Sequence, residues 1–408
     1  MRLNPFRALR PRPELAARVA AVPYDVVSRE EAAALAHGNP YSFLHVGRSD
    51  IDFPPNIDPQ DDRIYAAARA SLDRFVAEGV LVRDDKPGLF LYRQELDGRT
   101  QTGIVGCVNV DDYEHDVIRK HEKTRKDKED DRTRHVLTLN ANAEPVFLTY
   151  RPRPELDALT RAATAEAPLY EFTAPDGVRH TVWRVADPAA WVRAFGLVPL
   201  AYVADGHHRS ASAWRAGRER KSANRAHRGD EEYNWFLAVL FPASELRILP
   251  YNRLVQDLNG LTPAAFAERL RSLGTLEQSS APAPASPGSF GFFFDGRWRR
   301  LTLDAGSIDR ADPIGSLDVS LLQDRVLGPV LGIGDPRTDK RIDFVGGIRG
   351  TSELERRVCS GEMALGVAMY PTTIEQLMAV SDAGAIMPPK STWFEPKLRS
   401  GLFVHELD

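Results

Sequence analysis

The sequence predicts an α/β protein built on mixed sheets, and three observations predict it. Residues 198–217 (VPLAYVADGHHRSASAWRAG) run from apolar β-formers through Asp205-Gly206 into a helix-forming stretch, which reads as strand, tight turn and helix. Asp97-Gly98 and Asp295-Gly296 each stand between strand-like runs, a strong hairpin signal. Residues 61–79 carry a helical period, with Ile64, Ala68, Leu72, Phe75 and Val76 on one face.

Residues 21–27 (AVPYDVV) read as an extended segment, and Ser28 with Glu31 as the capping box of a helix reaching Ala36. Residues 42–46 read as a strand. The runs 89–96 and 102–110 pair through Asp97-Gly98. Asp25, following Pro23-Tyr24, reads either as a turn carboxylate or as a group facing a cleft.

Residues 118–132 (IRKHEKTRKDKEDDR) are dense in charge, and most of them are expected on a solvated helix, Lys128 and Arg132 lying four apart. Their head leaves a strand and enters that helix, which places Glu122 near the helix start beside Lys120, His121, Thr124 and Arg125. His121-Glu122 is not the zinc-peptidase motif, because residue 125 is arginine.

Residues 144–150 and 178–185 read as strands. Residues 235–241 (WFLAVLF) form an apolar run typical of a buried strand, and 246–255 continue as edge or connecting structure. Beyond them Thr262 and Pro263 open a helix to about residue 273. A Pro/Ala/Ser loop (278–289), a hairpin around Asp295-Gly296 and a helix over 318–327 follow. Residues 341–345 read as a strand leading to Gly346-Gly347-Ile348-Arg349-Gly350, then a helix capped by Ser352 with Glu355. That glycine loop lacks the Walker ending and reads as a tight turn. The stretch 387–402 (MPPKSTWFEPKLRSGL) holds Lys390, Ser391, Thr392 and Lys397. It reads either as an anchored tail filling a groove or as a contact to substrate or phosphate.

With 408 residues the chain suggests two or three domains, and the expected segments are 1–103, 104–258 and 259–408. A net charge of −4 gives no general attraction to nucleic acid or anionic membranes, so any anion site must be local. Two cysteines far apart form neither a disulfide framework nor a zinc spacing, and suit a reducing cytoplasm. No segment reads as a signal peptide or a membrane span. A homo-oligomer is left open.

The densest polar cluster is at 205–210. The first N–H groups of a helix lack internal partners and lie at the positive end of its dipole, so the turn suits an anion. Gly206 allows close backbone approach, and His207, His208 and Arg209 add donors. Asp205 reads either as a cap of that helix or as part of the site. Ala211, Ser212 and Ala213 are small enough for close packing on a sheet.

The order of His121-Glu122, helix, Pro-Val strand, strand, Asp205-Gly206-His207-His208-Arg209 at a second helix start, and strand resembles the ParB/sulfiredoxin superfamily. Within it the turn is most similar to that of the archaeal-type free-serine kinases, where it binds nucleotide phosphates. Pro23-Tyr24-Asp25-Val26-Val27, Lys120-His121-Glu122-Lys123-Thr124, Ala204 to Arg209 and Met387 to Phe394 also resemble a bacterial and archaeal family known as domain of unknown function number one thousand and fifteen. The resemblance implies a ParB/sulfiredoxin-like nucleotide-binding core over 104–258 with N- and C-terminal α/β extensions.

It further implies a phosphotransferase that uses ATP or ADP on a small hydroxyl-bearing metabolite, free serine being the family default, with Glu122 as base. In that chemistry Gly206, His207, His208, Arg209 and Ser210 would hold phosphates, and Asp205 would ligate Mg²⁺ or orient the acceptor. Two alternatives stay open. One is a nucleotide-binding regulatory or clamp-like protein without transfer chemistry. The other is a metal-dependent hydrolase using His121, His207 and His208.

Overall fold

The computed structural model describes residues 1–408, which divide into two compact units: Met1–Leu246 with Pro396–Asp408, and Arg247–Glu395. The boundary expected at 103/104 falls inside a single strand. No helix is long and apolar enough to cross a membrane.

The first unit is built on a nine-stranded sheet. Its strands are β1 (Leu3–Asn4), β2 (Phe90–Leu96), β3 (Arg99–Asn109), β4 (Ile118–Arg119), β5 (Val146–Tyr150), β6 (Tyr170–Thr173), β7 (Arg179–Arg184), β8 (Ala201–Asp205) and β9 (Trp235–Pro242). They lie in the order β4-β8-β5-β9-β3-β2-β7-β6, with β1 on β3. β8 runs parallel to β4 and antiparallel to β5, while β9 runs parallel to β5 and antiparallel to β3, so the sheet is mixed as expected. The β2–β3 hairpin turns through Asp97 and Gly98, both at positive φ. β9 is buried along nearly its whole length, which explains its unbroken apolar run.

Helices α1 (Arg29–Ala36), α2 (Asp62–Ala77), α3 (Lys126–Leu139) and α4 (His207–Ala223) belong to this unit. Ser28 and Glu31 form the capping box in full. The expected face of α2 is the buried one, where Ile64, Ala68, Leu72 and Phe75 pack. On α4, Ala211, Ser212, Ala213, Ala216 and Gly217 are buried. A Cβ on Gly217 would sit 2.5 Å from the Tyr233 carbonyl oxygen, so the helix approaches its neighbour at backbone distance. Gly217→Ala is expected to force the helix outward and cost about 1–3 kcal/mol, read as a lower denaturation midpoint.

The second unit carries a six-stranded antiparallel sheet. Its strands are β10 (Tyr251–Val255), β11 (Gly274–Gln278), β12 (Ser289–Phe294), β13 (Arg297–Leu303), β14 (Ile342–Gly346) and β15 (Leu365–Ala368), in the order β11-β13-β12-β15-β10-β14. Thr262 caps α5 (Pro263–Arg271) through the Ala265 N–H, as expected.

Three expectations are corrected. Residues 42–46 are not a strand: Leu44–Gly47 is a helical turn, with the Val46 and Gly47 N–H groups donating to Phe43 O. One turn buries Phe43, Leu44 and Val46 at once, and so short an apolar run has no decisive period. Residues 251–255 are not an edge, since β10 is flanked by β14 and β15. The helix Ser352–Cys359 starts one residue earlier than expected, with Thr351 as N-cap and no side-chain cap bond.

Candidate anion-binding and catalytic site

β8 ends in a register shift between Val203 and Asp205, and Gly206 then takes φ 92° to launch α4. A left-handed residue is needed there, and a Cβ would lie 3.0 Å from Arg209 Nε. Gly206→Ala is therefore expected to lose about 1–2 kcal/mol, read by chemical denaturation, and to displace the Arg209 guanidinium.

The start of α4 carries no side-chain cap. The Gly206 N–H donates to Asp205 Oδ1 at 2.9 Å, and the first intrahelical bond runs from the Ser210 N–H to the Gly206 carbonyl at 2.9 Å. The N–H groups of His207, His208 and Arg209 thus have no acceptor inside the helix, at its positive end.

Beneath them lies a buried charge cluster. Arg209, its side chain 6% exposed, places Nη2 3.6 Å from Asp205 Oδ2 and 3.7 Å from Asp25 Oδ2, and Nη1 donates to the Pro145 carbonyl. Its Nε and Nη2 still lack a hydrogen-bonding partner. Burial opposes the guanidinium charge, but Asp25, Asp205 and Glu144 outweigh it and keep Arg209 protonated. Burial alone would raise the Asp205 pKa; Lys397, 3.1 Å away, and Arg209 instead hold it well below the carboxylate range.

Glu144 is the contrast: its burial pushes the pKa up against the pull of Arg209 and Arg132. Ser400 Oγ donates to it at 3.1 Å. Arg132, whose guanidinium carbon lies 4.3 Å from the Tyr24 ring centre, is turned inward and pairs with Asp131 at 2.8 Å. A cavity of about 30 Å³ behind the turn is lined in part by Arg132, Glu144, Arg209 and Ser212.

The second polar concentration meets the first through histidines. His121 and His207 contact edge to face, ring centres 4.4 Å apart, and His207 Nδ1 lies 3.7 Å from Glu122 Oε2. Asp205 acts electrostatically on both rings. Both nitrogens of His121 and Nε2 of His207 are buried without a hydrogen-bond partner. Burial lowers His121 to about 4 and His207 well below its ordinary value, so both rings are neutral near pH 7. His208 is lowered by burial as well, and its Nε2 accepts from the Arg125 N–H at 3.1 Å.

His135 and His180, each lowered to about 3 by burial, add to this set. An imidazole held neutral in the fold but free to protonate when unfolded stabilises fully above the unfolded pKa of about 6.5, and loses that contribution as pH falls toward the folded value. Stability is therefore expected to drop from about pH 6.5 downward, by up to about 1.4 kcal/mol per pH unit for each such histidine. Denaturation midpoints measured from pH 8 to pH 4 check this, and a flat profile would contradict it.

The structure thus gathers Asp25, His121, Glu122, Asp205, Gly206, His207, His208 and Arg209. Other candidates are placed differently. Ser210 is wholly buried and its hydroxyl donates to the Gly206 carbonyl at 3.1 Å, so it braces the turn and does not face a ligand. Lys120 donates to the Tyr113 carbonyl at 3.0 Å and pairs with Asp116. Thr124 donates to Glu129, and the Arg125 side chain pairs with Asp127, leaving only its backbone on His208. Glu122 precedes the helix it was expected to start, since α3 begins at Lys126.

Lys390, Ser391 and Thr392 belong to the second unit, where Lys390 lies over the Tyr251 ring and Ser391 is buried. Of the same stretch it is Lys397, in the first unit, that reaches Asp205. Sequence reasoning also passed over Glu144 and Arg132. Glu144 stood at the head of an apolar strand, and Arg132 fitted the charge pattern of an exposed face.

No set of three or more His, Cys, Asp or Glu side chains is placed to hold a metal ion. Asp205 is already neutralised by Lys397 and Arg209, and its Oδ1 accepts from Gly206. The three histidines therefore do not meet as the metal centre of a hydrolase, whereas Mg²⁺ held by Asp205 needs only one or two carboxylates together with phosphate oxygens and belongs to the phosphate-bound state.

The sequence profile of the family described as "Protein of unknown function (DUF1015)" matches residues 3–320. The chain belongs to this family. No curated protein matches this DUF1015 chain by sequence. Among solved structures it is similar to a free serine kinase in complex with AMP, at 11% identity and TM-score 0.37, covering 74% of this chain and 91% of that one. SbnI with a C-terminal truncation from Staphylococcus aureus gives 13% identity and TM-score 0.38, covering 74% and 87%. A conserved hypothetical protein from Pyrococcus furiosus gives 12% and 0.36, covering 74% and 95%.

Proposed function

We propose that the turn at the start of α4 binds the phosphates of ATP or ADP, and that the protein transfers a phosphoryl group to the hydroxyl of a small metabolite. Free serine is the acceptor implied by the Asp-Gly-His-His-Arg motif. The observation that carries this reading is the uncapped, glycine-launched helix start together with a buried guanidinium, two of whose nitrogens make no hydrogen bond. Both halves of that arrangement favour an oxyanion.

Phosphoryl transfer asks chiefly for positioning and charge stabilisation. The amides of His207, His208 and Arg209 hold the phosphate oxygens, and Arg209 supplies positive charge from below. Glu122, 52% exposed, stands at the rim where an acceptor arrives. The acceptor oxygen bonds to the terminal phosphorus, the bridging P–O bond breaks with its electron pair going to the shortened nucleotide, and Glu122 takes the hydroxyl proton. Neutral His207 neither neutralises Glu122 nor competes for that proton. Asp205, held ionised, orients the acceptor.

Incubating the protein with terminally labelled ATP or ADP and a pool of small hydroxyl compounds tests the reading. Label in a new phosphoester is expected. Nucleotide bound without transfer would leave a nucleotide-responsive binding protein and contradict the transferase.

A further inference from the structure

We propose that Lys397 is a phosphate ligand of this same site, resting on Asp205 until an anion arrives and then moving its ammonium to the phosphate oxygens. The inference rests on the phosphate-binding reading above.

Its Nζ lies 3.1 Å from Asp205 Oδ2, with the side chain 13% exposed. The backbone that carries it is clamped on both sides. The Lys397 carbonyl accepts from Gln94 Nε2 at 2.7 Å and the Pro396 carbonyl from Gln101 Nε2 at 3.4 Å, while Gln101 Nε2 also donates to Gln94 Oε1 at 2.9 Å. Both glutamines are buried. Two residues on, Arg399 donates to His180 Nε2 at 3.3 Å and pairs with Asp176. Two buried side chains on two carbonyls hold the Cα of Lys397 in place, so a shift of its ammonium would run through its four-carbon stem.

Arg209 cannot make that move. Its Nη1 is held on the Pro145 carbonyl, its Nη2 lies between two carboxylates at 3.6 and 3.7 Å, and its side chain is more deeply buried. A lysine ammonium is a compact point charge that exchanges acceptors readily, and a phosphate presents more charge and more oxygens than one carboxylate. When Lys397 leaves, Asp205 keeps Arg209 at 3.6 Å, so it stays ionised and becomes available to an acceptor hydroxyl.

The test is calorimetric titration of the full chain with ADP and with inorganic pyrophosphate, for the wild type, Lys397→Met and Lys397→Arg. Lys397→Met is expected to bind both probes at least tenfold more weakly, and Lys397→Arg to recover most of the loss. Should Lys397→Met fail to fold, Lys397→Gln, which keeps a hydrogen bond to Asp205, gives the same comparison. Wild-type affinity in the neutral variant, with only a lower thermal midpoint, would overturn the proposal and make Lys397 purely structural. A wild-type chain that binds neither probe would instead overturn the phosphate reading beneath it.

Discussion

Arg209→Met is expected to cost about 3–5 kcal/mol of stability near pH 7, the largest effect of any single change at the site. The guanidinium is the shared counter-charge of Asp25 and Asp205 and bears electrostatically on buried Glu144. Removing it leaves carboxylates desolvated and, apart from Lys397 and Arg132, uncompensated. In the wild type Asp205 is depressed, so its contribution is present above the unfolded pKa of about 4 and is lost as pH falls toward the folded value. In the variant the carboxylates rise, so the deficit is greatest at neutral pH and shrinks as they protonate. Denaturation midpoints of both proteins at pH 7.5 and pH 4.5 check this: the gap is expected to narrow at the lower pH. A gap that widens there would mean that Arg209 stabilises by packing and not by charge.

Glu122→Gln is expected to lower turnover by about 10²–10⁴ while nucleotide affinity changes little, because a positioned base acts on the transition state and not on the bound nucleotide. Glutamine keeps the size and the approach to His207 at about the same distance but accepts no proton. The half-exposed setting of Glu122, beside a buried neutral imidazole, makes the exchange structurally mild. Turnover at the wild-type level would remove Glu122 from the mechanism and leave it as a surface partner of His207. Loss of nucleotide affinity matching the loss of turnover would assign it to binding instead.

Much of this was legible in the chain because local chemistry and tertiary placement agree. Asp97-Gly98 between two β-forming runs favours a tight hairpin, Ser28-x-x-Glu31 caps a helix with its own atoms, and Gly206 after a β-forming run permits the left-handed launch. What stayed hidden depends on partners distant in sequence. Arg132 sits in a run of charge and shows by no local sign that Tyr24 and Asp131 draw it inward. Lys397 is 192 residues from Asp205, and nothing between them announces the pairing. Ser210 stands among the expected phosphate contacts only through the family resemblance. Its hydroxyl instead returns to the carbonyl four residues back, a bond that periodicity does not display.

The central claim is that an anion rests on the free amides at the start of α4. A structure of the protein with ADP bound tests it most directly. The account predicts phosphate oxygens within hydrogen-bonding distance of the His207, His208 and Arg209 N–H groups, with Glu122 facing the terminal phosphate. Nucleotide bound elsewhere, with those three amides still turned to solvent or to protein acceptors, would contradict it.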